Sequence, residues 1–309
     1  MGSSINATGQ AAGQRYGEAA AWNADGTLID LSLNVVSHAK DINDQGLIVG
    51  YNVDDYVQVA VPIVWNDATP SQLPLPAGHR TGSAEAVNNK GVIVGWSQTT
   101  SGAPSAAVLW RKGKPIILPS TGIDHSQTAH DVNSNRIVVG AAIDSSNHVS
   151  AVRWGTDLQF TILPTLPGAT VTSASAINDK NVSVGYSGVN GEPRAVAWTN
   201  SGVRELAALE GRRTGRAWDI NRDGTVVGEA WAPDPKDDGV AVVWSHYNRA
   251  PRDLNQALKA PCKTRDGMYT LSLIRAEAVN DSGQILAHGY HPNEFGGEWA
   301  PVILTPVSN

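Results

Sequence analysis

The chain has one cysteine, Cys262, and two phenylalanines in 309 residues. A lone cysteine excludes an internal disulfide and a thiolate metal cluster within one chain. No apolar run reaches the roughly eighteen residues of a membrane-spanning helix. The opening MGSSINATGQ has neither the charged nor the apolar part of a secretory signal. A soluble chain without a membrane partner is expected, and compartment is left open. Charge is scarce too: charged residues make up 17% of the chain, the net charge is −6, and there is no basic run. Binding to nucleic acid draws its affinity from many Lys and Arg side chains displacing phosphate counterions, so that partner is excluded. No P-loop, G-x-S-x-G or G-x-G-x-x-G is present, and no cofactor is expected.

What the chain does have is glycine, proline and tryptophan, at 31, 17 and 10 residues, within a 41% hydrophobic total. Such a composition suits many short strands joined by tight turns. A motif recurs seven times: SSINATGQAAG, KDINDQGLIVG, EAVNNKGVIVG, HDVNSNRIVVG, SAINDKNVSVG, WDINRDGTVVG and EAVNDSGQILA. Its asparagines are Asn6, Asn43, Asn88, Asn133, Asn178, Asn221 and Asn280. The three central intervals, from Asn43 to Asn178, are 45 residues each. After each motif comes an apolar run ending in Trp22, Trp65, Trp110, Trp154, Trp198 or Trp244, with Leu304 in the last copy, and in most copies a short segment rich in Leu follows. Each unit therefore reads as four short strands in about 45 residues, which is one blade of a β-propeller. The expected fold is an all-β, single-domain, seven-bladed β-propeller. Its units lie near 1–36, 37–81, 82–126, 127–171, 172–214, 215–273 and 274–309. The last unit has no clear fourth strand, so a weak or three-stranded seventh blade is expected, its open edge available to a partner subunit. The chain is read as a monomer or a weak homo-oligomer.

The pattern A-x-x-[IV]-N-x-x-G-x-[IV]-x-G followed by a Trp-terminated strand resembles the bacterial repeats known as the HAF family of probable extracellular repeats. The resemblance covers essentially the whole chain. It implies a propeller-like fold and an extracellular or periplasmic setting. It supplies no common activity and no catalytic residue, so no site is carried over. The chain departs from the pattern at Arg136, Asn181, Ala287 and Leu304.

The constant asparagines read as turn residues. Asn bonds its own backbone two residues on, and the Gly or Asn three positions later tolerates positive φ. The constant glycines of the IVG runs read as places where a neighbouring blade, with its Trp, packs closely. Asp41, Asp131 and Asp219 share one repeat position and are expected to hydrogen-bond between blades. Function belongs where the copies differ, because a repeat scaffold spends its constant positions on packing. Three irregular segments fall in adjacent blades on the face opposite the Asn turns: 231–239, 259–270 and 288–299. The connection from Trp244 to Ala276 spans 32 residues, against 17 to 20 in the earlier units.

On the inner strands, the positions flanking the repeated Ala hold His38, Lys40, Glu85, His130, Arg216, Trp218, Arg275 and Glu277 among their varied residues. The preceding loops add His79, Arg80, His125, Arg212 and Arg213. Because these residues do not repeat from blade to blade, a single asymmetric site is expected rather than a multivalent lectin. Arg212, Arg213, Arg216 and Arg275, beside His38 across the ring closure, form a cationic sector. Arg forks pair with carboxylate, sulfate or phosphate, which points to an anionic saccharide or small molecule as ligand. Lys40, Glu85, Trp218, His79, Arg80, His125, Trp231 and Trp299 complete the candidate binding set, the tryptophans as stacking surfaces. His38, His130, Glu277 and Tyr269 are the candidate acids and bases. The plainer reading stands beside each. Arg216 and Arg275 can pair with Glu277 or Asp219, the two histidines can be hydrogen-bonded channel residues, and the tryptophans can be loop packing. His288 and His291, with Glu294 near, are too weak a signal for a metal site. Three functions remain open on the residues alone. One is a lyase-like enzyme using acid–base chemistry beside a carboxylate. The others are a non-catalytic carbohydrate-binding or small-molecule-binding module and a protein-interaction scaffold.

Overall fold

A computed structural model describes residues 2–54, 59–120, 124–234, 237–263, 270–291 and 298–306, with Asp54, Asp124, His125 and Glu298 described by backbone alone. Among these residues twenty-seven strands form seven antiparallel sheets around a common axis. Blade 1 holds β1 (Gly2–Ile5), β2 (Ala11–Arg15), β3 (Glu18–Trp22) and β4 (Leu28–Asp30). Blade 2 holds β5 (Ser37–Ile42), β6 (Ile48–Asp54), β7 (Val59–Asn66) and β8 (Thr69–Gln72). Blade 3 holds β9 (Thr81–Val87), β10 (Ile93–Gln98), β11 (Ala106–Arg111) and β12 (Lys114–Ile117). Blade 4 holds β13 (Asp124–Val132), β14 (Val138–Asp144), β15 (Val149–Trp154) and β16 (Phe160–Ile162). Blade 5 holds β17 (Ala169–Ile177), β18 (Ser183–Val189), β19 (Glu192–Thr199) and β20 (Gly202–Glu205). Blade 6 holds β21 (Thr214–Ile220), β22 (Val226–Trp231), β23 (Val240–Trp244) and β24 (Pro251–Asp253), with one helical turn, α1 (Leu254–Ala257). Among the described residues blade 7 has three strands, β25 (Ser272–Val279), β26 (Ile285–His291) and β27 (Glu298–Leu304).

The seven asparagines bind the blades to one another as well as turning the chain. In six of them Oδ1 accepts the backbone N–H groups two and four residues on, which closes the turn. Each Nδ2 donates to the backbone carbonyl of the next blade's asparagine at 2.8–3.1 Å, and Asn280 returns the chain of bonds to Asn6. All seven are 3–6% exposed. Donor and acceptor are both consumed, so these carboxamides have a structural use and belong to no ligand ring. The residue three positions later has positive φ in every copy, including Arg136 (φ 64°) and Asn181 (φ 63°), where the expected Gly is missing.

The IVG glycines have a reason other than a neighbouring blade. A Cβ on Gly50, Gly95, Gly140, Gly185 or Gly228 would overlap the carbonyl oxygen of the residue before the repeated Ala on the same blade's inner strand. That strand carries a β-bulge at this point, as at Ala39/Asp41, which pushes its backbone toward the second strand. The expectation of a neighbouring Trp at this contact is therefore corrected.

The repeat tryptophans work between blades. Trp65, Trp110, Trp154, Trp198 and Trp244 each donate Nε1–H at 2.7–3.2 Å to a carbonyl just beyond the fourth strand of the preceding blade. The leucine at that carbonyl, Leu31 itself or the preceding Leu73, Leu118, Leu163 and Leu206, is buried at the same junction. The core is accordingly a series of apolar wedges between neighbouring blades. Among the described residues the wedge between blades 7 and 1 is the smallest, with Ile5, Ala278 and Leu286 buried and Ile303 against them.

Candidate functional site

Register decides which side chains share the channel. On blades 2 to 7 the residue before the repeated Ala lies directly opposite the residue after the repeated Gly, or after Ala287 in the last, and such pairs project from the same face. The pairs are His38 with Tyr51, Ser83 with Trp96, Ser173 with Tyr186, Arg216 with Glu229, and Arg275 with His288. Glu229 and Tyr186 were not in the candidate set. Their signal was the position after the repeated glycine, which varies as Gln14, Tyr51, Trp96, Ala141, Tyr186, Glu229 and His288.

Blades 5, 6 and 7 supply the densest group. The Arg216 guanidinium lies 4.7 Å from the ring centre of Tyr186, 5.7 Å from that of Trp231 and 5.9 Å from that of Trp218. Its Nε is buried without a hydrogen-bond acceptor, and no carboxylate lies within ion-pair distance among the described residues. Arg275 sits 5.5 Å from the Trp218 ring and pairs through Nε with Glu277 Oε2 at 2.6 Å. Glu229, 8% exposed, accepts Trp218 Nε1–H at 3.0 Å. Burial raises the Glu229 carboxyl to about 7, against the opposing pull of Arg275, the Trp218 bond and Arg216. Burial also raises Glu277, with Arg275 and Lys40 opposing.

On the other side of the ring closure, Lys40 pairs with Glu85 at 3.8 Å and stands 5.6 Å from the Tyr51 ring. Glu85 also accepts Trp96 Nε1–H at 3.1 Å. His38 shares a proton with Ser3 Oγ at 2.8 Å, and burial, helped by Lys40, lowers it to about 4. His288 meets the Gly2 carbonyl at 2.8 Å and is lowered by burial to about 4 as well. Both imidazoles are neutral at pH 7. His130 is bound through Nδ1 to the Ala174 carbonyl at 2.8 Å, between blades 4 and 5.

The cationic sector is thus smaller than its residue list. Arg212 pairs with Asp237 of the β22–β23 connection, Arg275 pairs with Glu277, and Arg213 is exposed beyond the inner strand. Interleaved Glu229 and Glu277 make the sector mixed in charge, and among the described residues no carboxylate stands within ion-pair distance of Arg216. The plainer reading of Arg275 is met by Glu277. That of Arg216 through Asp219 is not, because Asp219 bonds the backbone N–H groups of Ile220 and Val279. His79 is held by Ser97 Oγ at 2.8 Å, and Arg80 is exposed. Trp231 belongs to the Arg216 frame, while Trp299, on the outer strand of blade 7 and 51% exposed, lies 5.1 Å from the Tyr290 ring at a tilt of 50°. Tyr269, Glu294 and the His125 side chain lie outside the described residues.

Asp41, Asp131 and Asp219 bridge blades as expected. Each accepts the N–H of the residue after it and a backbone N–H of the next blade, from Val87, Ile177 and Val279 in turn, at 2.7–2.9 Å.

No family model matches the chain, and no curated protein matches it. Solved structures do. A candidate TolB protein of Agrobacterium tumefaciens aligns with a TM-score of 0.55 at 11% identity, over 74% of this chain and 84% of that one. A virginiamycin B lyase from Staphylococcus aureus also aligns at 0.55 and 11%, over 93% and 90%. A puromycin-hydrolyzing peptidase of Mycobacterium tuberculosis aligns at 0.55 and 10%, over 92% of this chain and 47% of that one. At this identity the likeness is one of fold: a seven-bladed propeller similar to these, without a family assignment.

Proposed function

We propose that the channel mouth of blades 5 to 7 binds a carboxylate-bearing saccharide or small molecule and performs lyase-like acid–base chemistry on it. The observation that carries the reading is Arg216. A half-buried guanidinium loses part of its solvation, and the three aromatic rings and the more distant Glu229 return only part of that loss. A ligand carboxylate, accepted by the free Nε–H edge and the fork, would meet the remainder. The aromatic frame suits the apolar face of a sugar ring.

Glu229 lies opposite Arg216 in register, with its carboxyl near the neutral range, as a general base requires. In the proposed step its carboxylate takes the proton from the carbon beside the substrate carboxylate. Arg216 holds the charge that develops on the carboxylate oxygens. The C–H electron pair forms a C=C bond as the β C–O bond breaks, and the departing oxygen leaves with its pair and takes up a proton. Glu277, also raised by burial, is the acid available to this reading. His38 and His288, neutral at pH 7, hold the site together instead.

A second reading, binding without chemistry, is favoured by the closure of Arg275 on Glu277 and of Trp218 on Glu229. Both readings meet one experiment. Oligosaccharides containing uronates are expected to raise the melting temperature and to release an unsaturated product with its own ultraviolet absorbance. Arg216→Ala is expected to remove the thermal shift, and Glu229→Gln to keep the shift while abolishing product. A shift with no product supports the binding module. An unchanged shift in Arg216→Ala removes the anionic site altogether.

A further inference from the structure

A tryptophan bound to a glutamate occurs twice around the channel, with the two positions exchanged. On blade 6 the inner strand supplies the indole and the second strand the carboxylate, Trp218 to Glu229 at 3.0 Å. On blade 3 the inner strand supplies Glu85 and the second strand Trp96, at 3.1 Å. At both places a cation stands against a tyrosine of the preceding blade: Arg216 is 4.7 Å from the Tyr186 ring centre, and Lys40 is 5.6 Å from that of Tyr51. Charge separates the two groups. Arg216 has no carboxylate within ion-pair distance among the described residues, whereas Lys40 Nζ lies 3.8 Å from Glu85 Oε2. The group on blades 2 and 3 is balanced in charge and does not call for an anion.

Its hydrogen bonding is incomplete all the same. A separation of 3.8 Å is too long for a hydrogen bond, and among the described residues neither Lys40 Nζ nor the Tyr51 hydroxyl has a hydrogen-bond partner. Lys40 therefore offers its N–H donors beside the lone pairs of Glu85 Oε2, and the two side chains are 31% and 21% exposed. A donor and an acceptor next to each other, with half-buried Tyr51 at their side, suit the hydroxyls and the apolar face of an uncharged sugar ring. The two groups also share one mouth. Lys40 holds the repeat position of Glu277 on blade 7 and of Ser3 on blade 1 between them. Ser3 is short and occupied by His38 at 2.8 Å, and across it the charge of Lys40 reaches the Glu277 carboxyl.

We propose that Lys40, Glu85 and Tyr51 form a second subsite that takes an uncharged sugar residue. The ligand is then an oligosaccharide of mixed composition, with a carboxylate at Arg216 and a neutral residue of the same chain on blades 2 and 3. This inference rests on Arg216 holding the carboxylate, and it adds the class of oligosaccharide. An all-uronate chain would set a second carboxylate against Glu85, with the Lys40 charge already matched.

Titration calorimetry on the Glu229→Gln protein, which is expected to bind without turnover, compares three probes. They are glucuronate, oligosaccharides that alternate glucuronate with N-acetylglucosamine, and oligogalacturonates of the same lengths. The alternating series is expected to bind about tenfold tighter than glucuronate once it is long enough to reach the second subsite. Lys40→Met and Tyr51→Leu, added to that protein, are expected to remove this gain and to leave glucuronate binding unchanged. Glu85→Gln, which frees the Lys40 charge, is expected to move the preference toward oligogalacturonate. If one of these variants fails to fold, the other two decide. A gain that survives in Lys40→Met and Tyr51→Leu, or a series no tighter than glucuronate, overturns the second subsite and leaves the Arg216 site standing. An equal gain with oligogalacturonate overturns its neutral character. No binding of any probe, in this protein or by thermal shift in the unsubstituted chain, removes the Arg216 reading and the second subsite with it.

Discussion

The carboxyl group of Asp131 shows how one half-buried residue couples this ring to pH. Its oxygens accept two backbone N–H groups that favour the charged form, yet burial outweighs them and raises it to about 8, from an ordinary 3.8. The folded chain thus holds a proton that the unfolded chain releases, and the stability this proton contributes is lost as pH rises toward 8. Asp219, raised to about 6, and Glu229, raised to about 7, act with the same sign. His38 and His288 act with the opposite sign, because both are lowered to about 4 from 6.5; they add stability as pH rises through that lower window. The two effects separate above about pH 6.5. A fall in melting temperature between pH 6.5 and 8.5 is expected, with a shallower fall in Asp131→Asn. Differential scanning calorimetry across that range checks it.

At the scale of the strand and its turn, two constant glycines of one repeat have unlike costs. Gly91 has φ +68° and open space where a Cβ would lie, so Gly91→Ala meets only the left-handed penalty of about 1–2 kcal/mol. At Gly95 a Cβ would overlap the Ser83 carbonyl oxygen, and backbone cannot swing aside as a side chain can. Gly95→Ala is expected to cost about 3 kcal/mol or more, the upper range for overpacking. Urea unfolding of the two variants should rank them in that order. The tolerance of Arg136 at the turn position agrees with the smaller cost. The turn role of Asn88 was legible in NNKG, since an Asn before a positive-φ residue bends the chain by local chemistry alone. Its bond to the Asn133 carbonyl was not, because the partner lies 45 residues away. The candidate site was legible to a similar degree. Arg216, Trp218, Arg275 and Glu277 stood out as variable inner-strand residues and come together. Glu229 was missed because its place opposite Arg216 depends on a bulge that shifts the register.

For the molecule as a whole, closure is the weak point. The Asn280–Asn6 bond completes the ring, and His288 adds a bond to Gly2, but the apolar wedge there is smaller than the others. Local opening follows low burial. Native-state hydrogen exchange is therefore expected to be fastest in β1, β25 and β27 and slowest in blades 3 to 5, and a uniform pattern would contradict this.

By itself the sequence determined the all-β class, the seven units and the four strands of a unit, because period, turn chemistry and strand length are local properties. Tertiary structure decided which charges find partners. Arg212 and Arg275 are tied to Asp237 and Glu277, Arg216 is framed by Tyr186, Trp218 and Trp231, and Trp22 lines a groove. These outcomes depend on distances between blades, and a repeat read along the chain holds no record of them.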